Sequence, residues 1–222
     1  MLAIDGKFPG NGYTDERHSA PPAGTILDAN LGRLPCLDVK TGGVTTTVGQ
    51  SKGIYHYIAS TSGLLGSSPL EAAQITAFVE HITEMNTFAS KVVPWGTVPT
   101  EESFAALFDD ATASDYTGPA VGANSAKRNV LWYTGRMENI VGSNGFCVGN
   151  KLSLADVLLF VRFGDVLPEA GNEKVTMREP FGSLAHTTKL LAAHPNIKKI
   201  VANVAANANV VKWLATRGPQ NF

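Results

Sequence analysis

The spacing of hydrophobic and polar positions changes once along the chain, at a Gly/Ser/Leu-rich stretch over residues 63–68. Ahead of this stretch, the partly alternating apolar segment 34–39 and the β-branched segment 44–48 flank a turn signal, Thr41-Gly42-Gly43. Two short segments with high β propensity on either side of such a turn predict a β-hairpin.

A helical period follows the hairpin. From Ser51, the apolar residues Ile54, Tyr57 and Ile58 recur at intervals of three and four, which is the spacing of one helix face. Gly63 ends the pattern, so the predicted local order is strand, strand, helix.

Beyond the change in pattern, helix-like periodicity continues and no further strand is predicted. We therefore predict two domains, a mixed α/β domain over residues 1–65 and an all-helical domain over residues 69–222. Prolines and glycines separate the helical segments, which are predicted at 69–93, 101–109, 122–142, 153–167, 181–193 and 196–215.

The helix predicted at 153–167 has the most explicit start. Ser153 places a hydroxyl at the N-cap and Asp156 a carboxylate three residues later, ahead of the apolar segment Val157–Val161. In such a capping box the two side chains satisfy N–H groups at the helix N-terminus. A buried helix is therefore predicted to begin there.

Composition excludes several classes of function. The 222 residues carry 18 Lys+Arg against 19 Asp+Glu, so no basic face for nucleic acid is predicted. No apolar stretch approaches the roughly 18 residues that span a membrane, and the start of the chain does not read as a signal peptide. We expect a cytoplasmic protein without nucleic-acid or membrane partners.

Cysteine and histidine spacing bears on disulfides and metal binding. Cys36 and Cys147 are far apart and lack CxxC spacing, and the five histidines form no HxxxH pair. Neither a disulfide framework nor a bound metal is therefore expected.

Four stretches, in this order, resemble the glutathione-transferase superfamily. The first two are LGRLPCL at 31–37, like the loop and strand around a cis-proline, and GQSKGIYHYI at 49–58, similar to a QS-x-x-I-x-x-Y-[IL] signature. The others are GNKLSLADV at 149–157, like the capping box of the central helix, and the tail at 194–218. Segment 78–95 further resembles the sigma-like branch.

The resemblance implies a glutathione-transferase fold, with an α/β thioredoxin-like N-terminal domain, incomplete here, in front of an all-α domain. It implies a homodimer with the helix near Pro69 at the interface, and glutathione as co-substrate. The implied reaction is conjugation of the glutathione thiol to a small hydrophobic electrophile, or a glutathione-dependent isomerisation. The alternative is a non-catalytic glutathione-transferase-like protein with a binding or structural role.

The resemblance also assigns the glutathione site. The start of the helix at Ser51, where free N–H groups and the helix dipole favour an anion, would receive the γ-glutamyl carboxylate. A cis-proline would expose the preceding backbone for antiparallel pairing with the cysteinyl part. The alternatives to a ligand-binding role are that Ser51 is only an N-cap and that Arg33 is a solvated surface charge. The residues so assigned are Gly32, Arg33, Leu34, Pro35, Gln50 and Ser51.

Several positions depart from the family pattern. In the family, a Trp and a Lys hold the far carboxylate of glutathione. The matching positions in this chain are Pro22 and Leu27. In the family, an acidic residue of the partner subunit also binds the ammonium group of glutathione. The matching position in this chain is Thr76. These departures predict weaker binding, and Glu71 or Glu80 could replace the missing acid, although charged helix residues usually form a solvated face.

The family's catalytic residue, a hydroxyl or thiol on the first strand that stabilises the thiolate, has no counterpart. Only 34 residues precede Pro35, and a βαβ unit takes roughly 30 or more, so residues 13–19 match the second strand and 1–6 the end of the first helix. The first strand is expected to be absent, through truncation or loss. The replacement candidates are poor: Tyr13 on the second strand, Tyr55 and Tyr57 as core residues, and Cys36 as a small buried hydrophobe.

A second pocket, for the electrophile, would lie among aromatic residues of the helical half. Each of these side chains singly is more readily interpreted as part of the core. The candidates are Phe88, Trp95, Phe104 and Phe108.

Overall fold

The computed structural model describes residues 25–94, 96–109, 128–164, 181 and 183–216. Within these ranges, the strands form one two-stranded antiparallel sheet, and every later element is a helix, which confirms the predicted fold class. In chain order, the elements are α1 (Thr25–Asp28), β1 (Cys36–Thr41), β2 (Val44–Gly49), α2 (Ser51–Thr61), α3 (Pro69–Val92), α4 (Glu101–Phe108), α5 (Val130–Ile140), α6 (Leu154–Phe163), α7 (Leu184–Ala193), α8 (Pro195–Ala205) and α9 (Ala208–Thr216).

Some predictions concern residues outside the described ranges. They include the helix end at 1–6, the strand at 13–19 with Tyr13, the departure at Pro22, Trp95 as a pocket residue, and the parts 122–127 and 165–167 of two predicted helices. Among the described helices, none is long and apolar enough to cross a membrane.

The hairpin forms as predicted, with β1 beginning two residues after the start of the apolar segment. Thr41 pairs with Val44 across a two-residue turn, in which Gly42 and Gly43 have φ values of 58° and 83°. A tight turn with positive φ at both central positions suits glycine, which lacks the Cβ that opposes this conformation. The Gly-Gly pair therefore fixes the register of the two strands.

The hydrophobic core lies in the helical half, around α3 and α6. The 24-residue α3 buries one face, including Ile75, Ile82 and Met85, and packs against both α5 and α6. Most of α6 is buried, and on another side it packs against α8, where Ile200 is fully buried. A helix surrounded in this way needs apolar residues on nearly all faces, which explains the continuous apolar stretch in its sequence.

The start of α6 confirms the predicted capping box. The Ser153 backbone N–H and hydroxyl each donate to Asp156 Oδ2 at 2.7 Å, and the Cys147 N–H donates to Asp156 Oδ1 at 2.6 Å. The Leu154 N–H donates to the Leu64 carbonyl at 2.9 Å, which ties α6 to the segment after α2. One buried carboxylate thus joins the helix start to the loop that precedes it.

Two helices begin later than their sequence patterns indicate. In the described part of the segment predicted at 122–142, α5 begins at Val130, because the Asn129 side chain accepts the Trp132 N–H at 2.9 Å and caps the helix there. The segment at 181–193 is helical from Leu184, after Ser183 acts as the N-cap of α7. Both starts lie at side chains that favour N-caps.

The prediction of a single helix over 196–215 is wrong, since the segment forms α8 and α9. At the junction, Asn207 Oδ1 accepts the N–H groups of Asn209 at 3.0 Å and Val210 at 3.3 Å. An asparagine side chain that binds nearby backbone groups competes with continuation of the helix. Val204 and Val210 are both buried, so apolar positions continue on either side of the break. The spacing of apolar residues therefore does not reveal where α8 ends.

We expect Asn207→Ala to lower the free energy of unfolding by about 1 kcal/mol, the usual effect of removing an N-cap side chain. The midpoint of thermal unfolding should fall by about 2–4 °C for a chain of this size. Asn139→Ala, at an exposed asparagine on α5, is the matched control and should change stability by less than about 0.5 kcal/mol. Equal effects of the two substitutions would contradict the capping role.

Candidate functional site

The open end of the hairpin brings together the two parts of the predicted site. Cys36, the first residue of β1, pairs with Gly49, the last residue of β2. Pro35 and Gln50 therefore lie beside each other at this end of the sheet. The predicted residues are the four directly ahead of β1 and the two directly after β2.

The loop ahead of β1 has an unusual backbone. Leu31 and Gly32 have φ values of 53° and 75°, and the Leu34–Pro35 peptide bond is cis, as the resemblance implies. Leu34 is 56% exposed. In the part of the chain described, no hydrogen bond engages its backbone groups.

The other part of the site is the N-terminus of α2. Gln50 is the N-cap residue, with φ 66°, and Ser51 is the first residue of the helix, so the alternative in which Ser51 is the N-cap is wrong. No side chain caps α2 within the described residues. The first N–H groups of an α-helix lack partners within it, and they carry the positive end of the helix dipole.

This bare N-terminus distinguishes α2 from the later helices. Each of the helices α3 to α9 has a side-chain oxygen that accepts a backbone N–H at or next to its N-terminus. The side chains concerned are Ser68, Thr100, Asn129, Asp156, Ser183, Glu138 and Asn207. The start of α2 is therefore suited to an anion from outside the chain.

Sequence reasoning missed Asn30, which lies beneath this site. Its side chain is buried, and Nδ2 donates to the Arg33 carbonyl at 2.9 Å and to the Pro35 carbonyl at 3.0 Å. It also touches Gly49, where an added Cβ would lie 2.7 Å from the Asn30 Cβ. A single buried asparagine in a loop has no periodic pattern that would reveal it.

The two acids proposed to replace the family's ammonium-binding residue are both engaged within the chain. Glu80 forms an ion pair with Lys52, with Nζ to Oε2 at 2.8 Å, between α2 and α3. Glu71 accepts the Ser67 N–H at the start of α3. Thr76, the matching position, is exposed, and its hydroxyl donates to the helix backbone.

The cysteines occupy different environments. Cys36 is half-buried and its thiol donates to the Arg33 carbonyl at 3.4 Å, so its interpretation as a buried hydrophobe is wrong. Cys147 is buried, and burial together with the Asp156 carboxylate raises the pKa of its thiol. Across the described ranges, no group of three His, Cys, Asp or Glu side chains could hold a metal ion.

The aromatic candidates for a second pocket make contacts typical of a core. Phe104 and Phe108 both stack on the His186 ring, with centroids 4.5 and 5.3 Å away, and Phe108 meets Phe181 edge to face. Phe88 packs against the core cluster. These contacts favour the core interpretation for Phe88 and Phe108, which both pack against the core cluster.

A cleft of about 400 Å³ lies elsewhere, between the N-terminal half of α3 and the loop that follows α5. None of Phe88, Phe104 and Phe108, the aromatic candidates within the described residues, lines it. Its walls include Gln74, Phe78, His81, Ile140, Asn144 and Phe146.

Comparison with known sequences identifies related proteins. The family model described as the C-terminal domain of glutathione S-transferase matches residues 122–217. Probable glutathione S-transferase 6 of Caenorhabditis elegans is 29% identical over 175 residues, which cover 78% of this chain and 74% of that protein. Probable glutathione S-transferase 8 of the same organism is 24% identical over 216 residues, covering 97% and 89%.

Solved structures share the fold. A monomeric glutathione S-transferase of the hookworm Necator americanus aligns with a TM-score of 0.58 at 20% identity, over 89% of this chain and 80% of that chain. A Nu-class glutathione transferase of Haemonchus contortus gives a TM-score of 0.56 at 19% identity, over 86% and 76%. The fold is therefore that of glutathione transferases, with part of a thioredoxin-like domain followed by a helical domain, and the chain is similar in sequence to proteins of the glutathione transferase superfamily.

Proposed function

We propose that this chain binds glutathione at the open end of the hairpin and conjugates its thiol to a small hydrophobic electrophile. The observation that carries the proposal is the uncapped N-terminus of α2 beside Leu34, an exposed residue whose backbone groups make no hydrogen bond among the described residues. Similarity to glutathione transferases supports the reaction class.

Each part of the site offers a group that suits glutathione. The α2 N–H groups, with Gln50 and Ser51, would hold the γ-glutamyl carboxylate through charge-assisted hydrogen bonds. The Leu34 backbone would pair with the cysteinyl part as an added strand. Arg33 is exposed beside Gly32 and offers a positive charge to a carboxylate.

In the proposed reaction, the glutathione thiol loses its proton and the sulfur forms a bond to an electrophilic carbon. The leaving group departs with the electron pair of the broken bond, or, in an addition, the pair moves to a neighbouring atom. The residue that stabilises the thiolate is unassigned. A homodimer with the start of α3 at its interface also stays a prediction.

The second candidate is a protein that binds glutathione or another partner without turnover. It is favoured by Thr76 at the position of the family's acidic residue, and by the engagement of Glu71 and Glu80 within the chain. Binding and turnover must therefore be measured separately.

Calorimetric titration of the purified chain with glutathione tests the proposal. We expect Gln50→Ala/Ser51→Ala to weaken binding at least tenfold, about 1.4 kcal/mol, because the ligand carboxylate loses its side-chain partners at the helix start. The matched control is Gln74→Ala/Ser60→Ala, which changes the same residue types at exposed positions away from the site. This control should bind like the unmodified chain.

Conjugation of a small aryl electrophile is assayed on the same samples. Turnover above the uncatalysed rate, lost in the site variant and kept in the control, would support the enzyme. Binding without turnover would support the second candidate. Absence of glutathione binding by the unmodified chain would contradict the assignment of this site to glutathione, with or without turnover.

A further inference from the structure

The loop ahead of β1 buries the side chain of Asn30, which is 3% exposed. A buried amide needs hydrogen-bond partners, and here both are carbonyl groups of the same loop. Nδ2 donates to Arg33 O at 2.9 Å and to Pro35 O at 3.0 Å. Because the amide nitrogen has two hydrogens, these bonds use both of them.

The two carbonyl groups lie on either side of Leu34. In a trans peptide the C=O and N–H bonds point in opposite directions. A hydrogen bond that holds the Arg33 carbonyl toward Asn30 therefore turns the Leu34 N–H away from it. Asn30 thus sets the direction of the backbone group that would pair with the cysteinyl part of glutathione.

The same side chain reaches the second part of the site. A Cβ on Gly49 would lie 2.7 Å from the Asn30 Cβ and 2.8 Å from its Oδ1, so Asn30 occupies the space that a side chain at Gly49 would need. Gly49 directly precedes Gln50. Asn30 therefore sets the spacing between the loop and the N-terminus of α2.

Backbone hydrogen bonds close the first part of the loop, from the Gly32 N–H to the Leu27 carbonyl at 2.8 Å and from the Arg33 N–H to the Asn30 carbonyl at 3.1 Å, but within the described residues none engages the Leu34 backbone. Leu31 lies in the left-handed region, which is unfavourable for a residue with a Cβ, and its side chain is 82% exposed. We infer that Asn30 is a positioning residue for glutathione, acting through the Leu34 backbone and Gln50. This inference rests on the proposed function.

The test compares Asn30→Ala, Asn30→Asp, Gly49→Ala and the double variant Asn30→Ala/Gly49→Ala in the full chain. Calorimetric titration should show glutathione binding weakened at least fivefold in each single variant, and most in Asn30→Asp, which sets a carboxylate against two carbonyl oxygens. The double variant should bind at least as weakly as Gly49→Ala, since alanine at position 30 removes Cγ and Oδ1 but keeps the Cβ atom that a methyl group at 49 would meet at 2.7 Å. Amide hydrogen exchange over residues 31–36 should accelerate in Asn30→Ala.

Thr47→Ala is the control, because it removes a 2.6 Å hydrogen bond to Asp38 within the same hairpin without touching the site. It should leave the affinity unchanged. Unmodified affinity in Asn30→Ala, together with loss in Gln50→Ala/Ser51→Ala, would overturn the inference and spare the proposed function. Affinity that simply follows the unfolding midpoint across all variants would also overturn it, and absence of binding by the unmodified chain would overturn both.

Discussion

Asp156→Ala is expected to lower the free energy of unfolding by about 4 kcal/mol, because the N–H groups of Ser153 and Cys147 would stay buried without an acceptor. The Asp156 carboxylate is fully buried and accepts both of them, as well as the Ser153 hydroxyl. Thermal unfolding followed by circular dichroism should show a midpoint lower by about 10 °C for a chain of this length.

Two further variants distinguish the loss of these hydrogen bonds from the loss of a negative charge. Asp156→Asn keeps one acceptor oxygen and should lose about half as much stability. Glu102→Ala removes an exposed acid from the first turn of α4 and should change stability by less than about 0.5 kcal/mol. A loss below about 1 kcal/mol in Asp156→Ala would show that the loop before α6 recovers its hydrogen bonds in another way.

Glu138→Ala is expected to lower the free energy of unfolding by about 2 kcal/mol, because two N–H groups at the start of α8 would lose their acceptor on α5. The Glu138 carboxylate on α5 accepts the N–H of Asn196 at 2.9 Å and that of Ile197 at 3.0 Å, in the first turn of α8. The His194 side chain does not cap α8, so Glu138 is the acceptor that this helix start uses. Chemical denaturation measures the loss.

The neighbouring substitution Asn139→Ala supplies the control, since it changes an exposed residue of the same helix. Glu138→Gln keeps one acceptor and should fall between Glu138→Ala and the unmodified chain. Equal stability of Glu138→Ala and Asn139→Ala would contradict the interhelix role of this carboxylate.

Elements with a local signature could be predicted from the sequence. The hairpin has a Gly-Gly turn between β-branched segments, and α6 has Ser153 and Asp156 at capping-box spacing. Both appear in the structure because the residues that specify them are the ones that form their hydrogen bonds. Likewise, the cis peptide bond at Pro35 follows the family resemblance.

Features set by contacts distant in sequence, or by a competing local bond, could not be predicted. The break between α8 and α9 depends on Asn207, whose side chain gives no periodic signal within an apolar pattern. Asn30 is recognisable only once the strand ending at Gly49 lies against it. The environment of Cys36 likewise depends on how the loop around Arg33 folds back.

The bare start of α2 has a consequence for any attempt to make the chain more heat-resistant. An acidic residue at position 50 would be the obvious improvement, since a carboxylate at a helix start is stabilising. The same carboxylate would repel an incoming anion and compete with it for the same N–H groups. At this position, a substitution that raises the stability of the helix therefore lowers the affinity for an anionic ligand, and selection for one property acts against the other.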